Sequence, residues 1–197
     1  VSTTNLSLAL KRIETLITRD AEVFADPSER KQEFERRLER TQRLLACLEN
    51  PVQSLDVLHI AGTSGKGSVA MICESILSAA GHRVGTHTTP YLQTPLEKIR
   101  VDGHLIQSED AIDLSETVMR CVEEIRRDRP DLDNPHYAEA WLGMALRHFS
   151  DSGCDIAIIE TGLGGRYDST NSLTPKVCVI NSIHYDHVRV LGATLSE

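Results

Sequence analysis

The 197-residue sequence has no apolar run near the roughly 20 residues a helix needs to cross a bilayer. Lys11, Arg12, Glu14, Arg19, Asp20 and Glu22 interrupt its start with charge, so neither a secretory leader nor an anchor is expected. It also lacks any CxxC pair. Its five cysteines, Cys47, Cys73, Cys121, Cys154 and Cys178, are odd in number and far apart, which argues against a disulfide framework and a zinc site. They are expected to be reduced core thiols in a cytoplasmic protein. Positive charge is in deficit: the formal net charge of -8 makes nucleic acid and membrane surfaces unsuitable partners and leaves small molecules. No internal repeat or low-complexity stretch is present. With 40% hydrophobic and 25% charged residues, there is material for one real core, and a monomer with a single domain over 1–197 is expected.

What is present begins with leucines and isoleucines at helical spacing over 6–18 and 29–49, a helical lead-in occupying 1–50. Asn50-Pro51 ends it, because the residue before proline is pushed out of the helical region. From 56 onward the texture changes. Short apolar strands are expected at 57–61, 83–88, 156–159 and 177–180, with helices at 69–80, 108–127 and 137–152. Asp102-Gly103 favours a two-residue hairpin turn. Strands alternating with helices point to an α/β fold: a mainly parallel sheet flanked by helices on both faces over 56–197.

Between the first strand and the next helix lies Gly62-Thr63-Ser64-Gly65-Lys66-Gly67-Ser68. Glycines let successive N–H groups turn toward an anion, the helix adds the positive end of its dipole, and Lys66 adds a full charge. The Ser68 hydroxyl is placed to meet phosphate or magnesium. Ile60 replaces the first glycine of the general phosphate-loop pattern, and Gly67 follows the lysine directly, unlike the Ser or Thr of a generic phosphate-loop kinase.

Glu160 ends an apolar strand, and in open α/β sheets ligands gather beyond the carboxyl ends of strands. It can hold the magnesium of a nucleotide or sit as an ordinary surface carboxylate. Gly162, Gly164 and Gly165 then lead into Arg166, Asp168, Thr170 and Asn171, a loop able to approach a ligand closely. His187 follows the last strand, where a metal ligand and a structural histidine are equally compatible with the pattern. Thr89 follows the second strand and offers a hydroxyl; the other histidines show no metal-like spacing.

These motifs, in this order, resemble the N-terminal ATP-binding domain of the folylpolyglutamate synthase and dihydrofolate synthase family, within the Mur ligase superfamily. HIAGTSGKGSV resembles its phosphate loop, TTPYLQTPLEKIRVDG the following segment, GLGGRYDSTN its glycine-rich signature, and INSIHYDHVRVLG its histidine-bearing motif. The resemblance implies a P-loop NTPase-like Mur ligase central domain. It implies that Thr63, Ser64, Gly65, Lys66, Gly67 and Ser68 bind ATP phosphates, and that Thr89, Glu160 and His187 hold Mg2+. Tyr137, Ala138, Glu139, Tyr167, Asp168 and Ser169 would face the pteroate portion of a folate or dihydropteroate substrate, with Arg166 and Asn171 fixing that substrate-binding loop. Lys66, Glu160 and His187 would carry the catalysis. Ser64, Thr89 and Tyr91 stand where the family commonly has Asn, Ser and His.

The activity implied is ligation of L-glutamate to a folate-type carboxylate through an acyl phosphate. The family's C-terminal domain is expected to be missing from this polypeptide, which would leave it inactive alone. Another Mur-type amino-acid ligase, or a nucleotide-binding module without turnover, stays open at this point.

Overall fold

A computed structural model describes residues 3–17 and 27–196, and of residues 3 and 27–30 the backbone alone. Among the described residues six α-helices and six strands follow one another. Two helices, α1 (Thr3–Glu14) and α2 (Pro27–Cys47), precede the sheet. Then come β1 (Asp56–Ala61), α3 (Lys66–Ala79), β2 (Val84–His87), the short hairpin β3 (Arg100–Val101) and β4 (His104–Leu105), α4 (Ser108–Asp128) and α5 (Tyr137–Asp151). The strands β5 (Ile156–Glu160) and β6 (Val177–Ile180) and the one-turn helix α6 (Val188–Leu191) complete the chain. Residue 18, the end of the expected first helix, lies outside the described residues.

The sheet order is β4-β3-β2-β5-β1-β6. β2, β5, β1 and β6 run parallel, with Val57 opposite Ala157 and His59 opposite Cys178, while the hairpin adds antiparallel strands at one edge. Asp102 and Gly103 both take positive φ, 48° and 79°, the geometry that the dipeptide favours in a two-residue hairpin. The two-residue period of the strands divides the core in two. Val57, Ala157 and Ile159 join the large cluster beneath α1, α2, α4 and α5, whereas Leu58, Ile60, Ile156 and Ile158 meet Ala70 and Leu77 of α3.

Helices cover both faces, as strand–helix alternation leads one to expect, but unequally. Among the described residues α3 is the helix packed on the second face, and β6 is an open edge with Val177 and Ile180 54% and 73% exposed. The cysteines bring a correction. Cys47 and Cys121 are joined in a disulfide between α2 and α4, with Cα atoms 5.8 Å apart. Their separation of 74 residues hides the pairing in the sequence, because only helix packing brings the two turns together. Of the other three, Cys154 is buried, Cys73 half-buried and Cys178 exposed.

Candidate active site

The loop after β1 turns where side chains would not fit. Gly62 and Gly65 have φ of +140° and +78°, and a Cβ on Gly62 would stand 2.8 Å from Cβ of Asn181. Gly65 serves as N-cap of α3, so the helix starts at Lys66, earlier than the apolar pattern indicates. The segment after β6 laces the loop in place. Ser182 accepts from the Thr63 N–H at 2.9 Å, the Asn181 amide donates to the Ser64 carbonyl at 2.7 Å, and the Thr63 hydroxyl bonds both backbone groups of His184. Lys66 Nζ folds over its own loop and donates to the Gly62 carbonyl at 2.9 Å. Ser64, Gly65 and Ser68 remain exposed. The result is a positively charged helix start whose first N–H groups are free of intrahelical partners, suited to an anion.

Glu160, 4% exposed at the end of β5, faces that helix start. Its Oε2 accepts the Thr89 N–H at 2.9 Å, and the Gly67 N–H also donates to it. Burial raises its pKa; the two backbone donors, Lys66 and Lys98 pull the other way. The fold thus brings Glu160, Thr89 and the phosphate loop together from three strand ends. His187 stands apart from that group in character: exposed, in the left-handed region at φ 45°, and 3.7 Å from its neighbour Asp186. Among the described residues no group of three or more His, Cys, Asp or Glu could hold a metal ion. A hard cation at Glu160 would need hydroxyl, water or ligand oxygens to complete its shell, and the carboxylate with the Thr89 and Ser68 side chains is a donor set of that kind.

A cleft of 820 Å³ opens beside the loop, walled by Lys66, Phe34, Arg37, Arg166, Tyr167 and His187 among others. Phe34 stacks on Tyr167 with ring centroids 5.0 Å apart, and the Arg37 guanidinium lies 5.4 Å from the Phe34 centroid. Arg166 and Tyr167 line this cleft. Asp168 and Ser169 do not: they are 7% and 4% exposed. The Asp168 carboxylate accepts the N–H groups of Leu163 and Thr170 and the Thr170 hydroxyl, so it braces the glycine loop from inside. The Asn171 amide donates to the Arg166 carbonyl at 2.8 Å.

Glu139 is a second correction. It is 1% exposed, caps α5 by accepting the His136 N–H, and is held by Arg40 at 3.2 Å, so it has no face for a substrate. Ala138 is exposed and Tyr137 half-buried.

The sequence reading missed Lys98. This lysine is 6% exposed, with Nζ 5.6, 5.5 and 6.0 Å from the ring centroids of Tyr91, Tyr137 and Trp141. Burial lowers its pKa, and Glu160 opposes that shift. The available signal was the Thr94-x-x-Glu97 capping box just before it, which fixes the turn that carries the lysine inward. Phe34 and Arg37 carry no signal beyond their place on an amphipathic helix.

No protein-family model matches the chain. Similar proteins do. A dihydrofolate synthase/folylpolyglutamate synthase of Bacillus subtilis is 39% identical over 161 residues, 81% of this chain and 37% of that protein. A folylpolyglutamate synthase of Arabidopsis thaliana is 35% identical over 190 residues, 96% of this chain and 32% of the relative. The chain belongs to the folylpolyglutamate synthase and dihydrofolate synthase family. Folylpolyglutamate synthase of Mycobacterium tuberculosis, solved with ADP, superposes with a TM-score of 0.83 at 31% identity, covering 98% of this chain and 40% of that one. A folylpolyglutamate synthase solved with AMPPCP and folate gives 0.84 at 30% identity, covering 97% and 43%. The fold is that of the Mur ligases. The chain spans 37% and 32% of the two curated relatives' lengths.

Proposed function

We propose that this chain is the nucleotide-binding portion of an ATP-dependent ligase that joins L-glutamate to a folate or dihydropteroate carboxylate through an acyl phosphate. The observation that carries it is the convergence of a Lys66-bearing phosphate loop, a buried Glu160 and Thr89 at the carboxyl ends of three neighbouring interior strands, in a family whose solved members bind ADP or AMPPCP. Thr63, Ser64, Gly65, Lys66, Gly67 and Ser68 would take the phosphates. Swinging Lys66 Nζ from the Gly62 carbonyl to a phosphate oxygen exchanges a neutral acceptor for a charged one. Glu160 and the Thr89 hydroxyl, with His187 from the cleft side, would hold Mg2+. The chemistry that Mg2+ would supply there is charge neutralisation on the γ-phosphoryl group, which a substrate carboxylate oxygen would accept while ADP leaves.

Carboxylates are poor electrophiles, and phosphorylation supplies the leaving group that an amine can then displace. The chain's share is alignment and charge neutralisation. Arg166 and Tyr167 would meet the pteroate moiety in the cleft, with the Phe34–Tyr167 stack as its wall. We assign 1–197 to one ATPase unit that acts as a cytoplasmic monomer on small molecules rather than nucleic acid or membrane. Alone it would bind nucleotide without turnover.

Calorimetric titration with magnesium and ATP tests this against Lys66→Ala and Glu160→Ala, repeated with dihydropteroate present. Binding lost in both variants, with coupling to dihydropteroate, supports the reading; equal binding in all three proteins sinks it.

A further inference from the structure

The Cys47–Cys121 pair lies away from the cleft and has no part in the proposed ligation. We propose that it is a reversible dithiol–disulfide modification site, which oxidation closes and reduction opens, locking the helical lead-in against α4. Several observations converge. The Cα separation of 5.8 Å lies within the span a disulfide bridges without moving backbone. Cys47 is half-buried at the last residue of α2 and reachable by a small oxidant, while Cys121 is 4% exposed within the core. One thiol can thus be attacked from solvent, and the other can reach only its partner. The remaining cysteines are placed for neither role: burial pushes the Cys154 thiol up to about 11, Cys73 lies across the sheet on α3, and Cys178 sits exposed on the β6 edge strand.

The chemistry balances with a low-molecular-weight disulfide of the glutathione type. The Cys47 thiolate attacks one sulfur of that disulfide, forming a mixed disulfide and releasing one small thiol. The Cys121 thiolate then attacks Cys47 Sγ and expels the second. Two protein thiols are oxidised, one small disulfide is reduced to two thiols, and the protons pass to solvent. Glu124 Oε2 lies 3.8 Å from Cys47 Sγ, where it accepts the thiol proton in the reduced form.

The consequence is mechanical. α2 carries Phe34 and Arg37 to the cleft wall, and Arg40 into the core against Glu139. Tying its last residue to α4 closes a loop of 74 residues that the reduced chain leaves free when it unfolds. The oxidised protein should melt roughly 5–15 °C higher than the reduced one.

The test takes fully reduced protein, oxidises it with glutathione disulfide, and reads intact mass, thiol count after unfolding, peptide map and melting temperature. Reduced protein should show five reactive thiols and oxidised protein three, with mass lower by two hydrogens and Cys47 linked to Cys121. The higher melting temperature should vanish in Cys47→Ser and in Cys121→Ser, the first of which alters a half-buried position and keeps the core intact. A mixed disulfide that persists at Cys47, a cross-link between other cysteines, or equal melting of the two forms would each overturn the proposal. None of these readouts depends on nucleotide binding, so the outcome is independent of the ligase reading.

Discussion

Replacing Glu139 with glutamine should change how stability responds to pH. Glu139 and Glu33 share one guanidinium, that of Arg40, which is 0% exposed and bonded to them at 3.2 and 2.9 Å. Full ionisation would leave net negative charge in a dry site. Burial accordingly pushes the Glu139 carboxyl from 4.5 up to about 7, against the pull of Arg40. Below pH 4.5 the group is protonated in both folded and unfolded chains and has no effect. Between pH 4.5 and about 7 the unfolded chain releases its proton while the folded chain retains it, so stability falls as pH rises; above that the loss is constant. The full displacement corresponds to roughly 3 kcal/mol. His136, adjacent to Arg40 and lowered to about 4 chiefly by burial, acts in the opposite sense, its neutral folded form gaining stability from pH 4 to 6.5. The difference between wild type and Glu139→Gln, measured by urea unfolding at half-unit steps from pH 4.5 to 8, isolates the carboxyl. The variant should gain on wild type by about 3 kcal/mol across that range. A flat difference, or a variant that loses ground as pH rises, would show that Arg40 holds Glu139 ionised and that the burial argument is wrong.

A Cβ on Gly85 would lie 2.3 Å from the Phe149 ring, itself fully buried, so Gly85→Ala should destabilise by about 1–3 kcal/mol or more in the same unfolding assay. Thr94→Ala removes the cap of the turn carrying Lys98 and should cost about 1 kcal/mol, with loss of nucleotide-dependent protection around Tyr91 in hydrogen exchange. His87, buried and donating from Nδ1 to the Lys98 carbonyl, should stay neutral in NMR titration until pH about 4; a midpoint near 6.5 would show that its site is wet. Phe34→Leu keeps apolar bulk but loses the stack on Tyr167, and should cost about 0.5–1.5 kcal/mol while weakening any ligand held in the cleft.

Much of the architecture was legible in the chain. The strands at 57–61 and 177–180, the Asp102-Gly103 turn and the helix from 137 come from local periodicity and turn chemistry, which depend on neighbours in sequence. The turn over 62–68 and the helix start after it were equally plain, because glycines, one lysine and a following helix are contiguous. Glu160 was found by its place at a strand end, a rule that converts position along the chain into position in the sheet.

Side-chain direction was another matter. Glu139 and Asp168 are acidic residues inside substrate-like motifs, yet both turn inward, one to Arg40 and one to the backbone of its own loop. Lys98 carries no sign of burial in the sequence, because the rings that surround it come from the loop at Tyr91 and from Tyr137 and Trp141 on α5. Cys47 and Cys121 pair only because α2 and α4 lie side by side. The chain by itself determined its elements, its glycine-and-lysine turn and its family. Tertiary structure alone decided which charged groups are buried, which line the cleft and which sulfurs touch, because burial and pairing depend on residues that are distant in sequence and close only after packing.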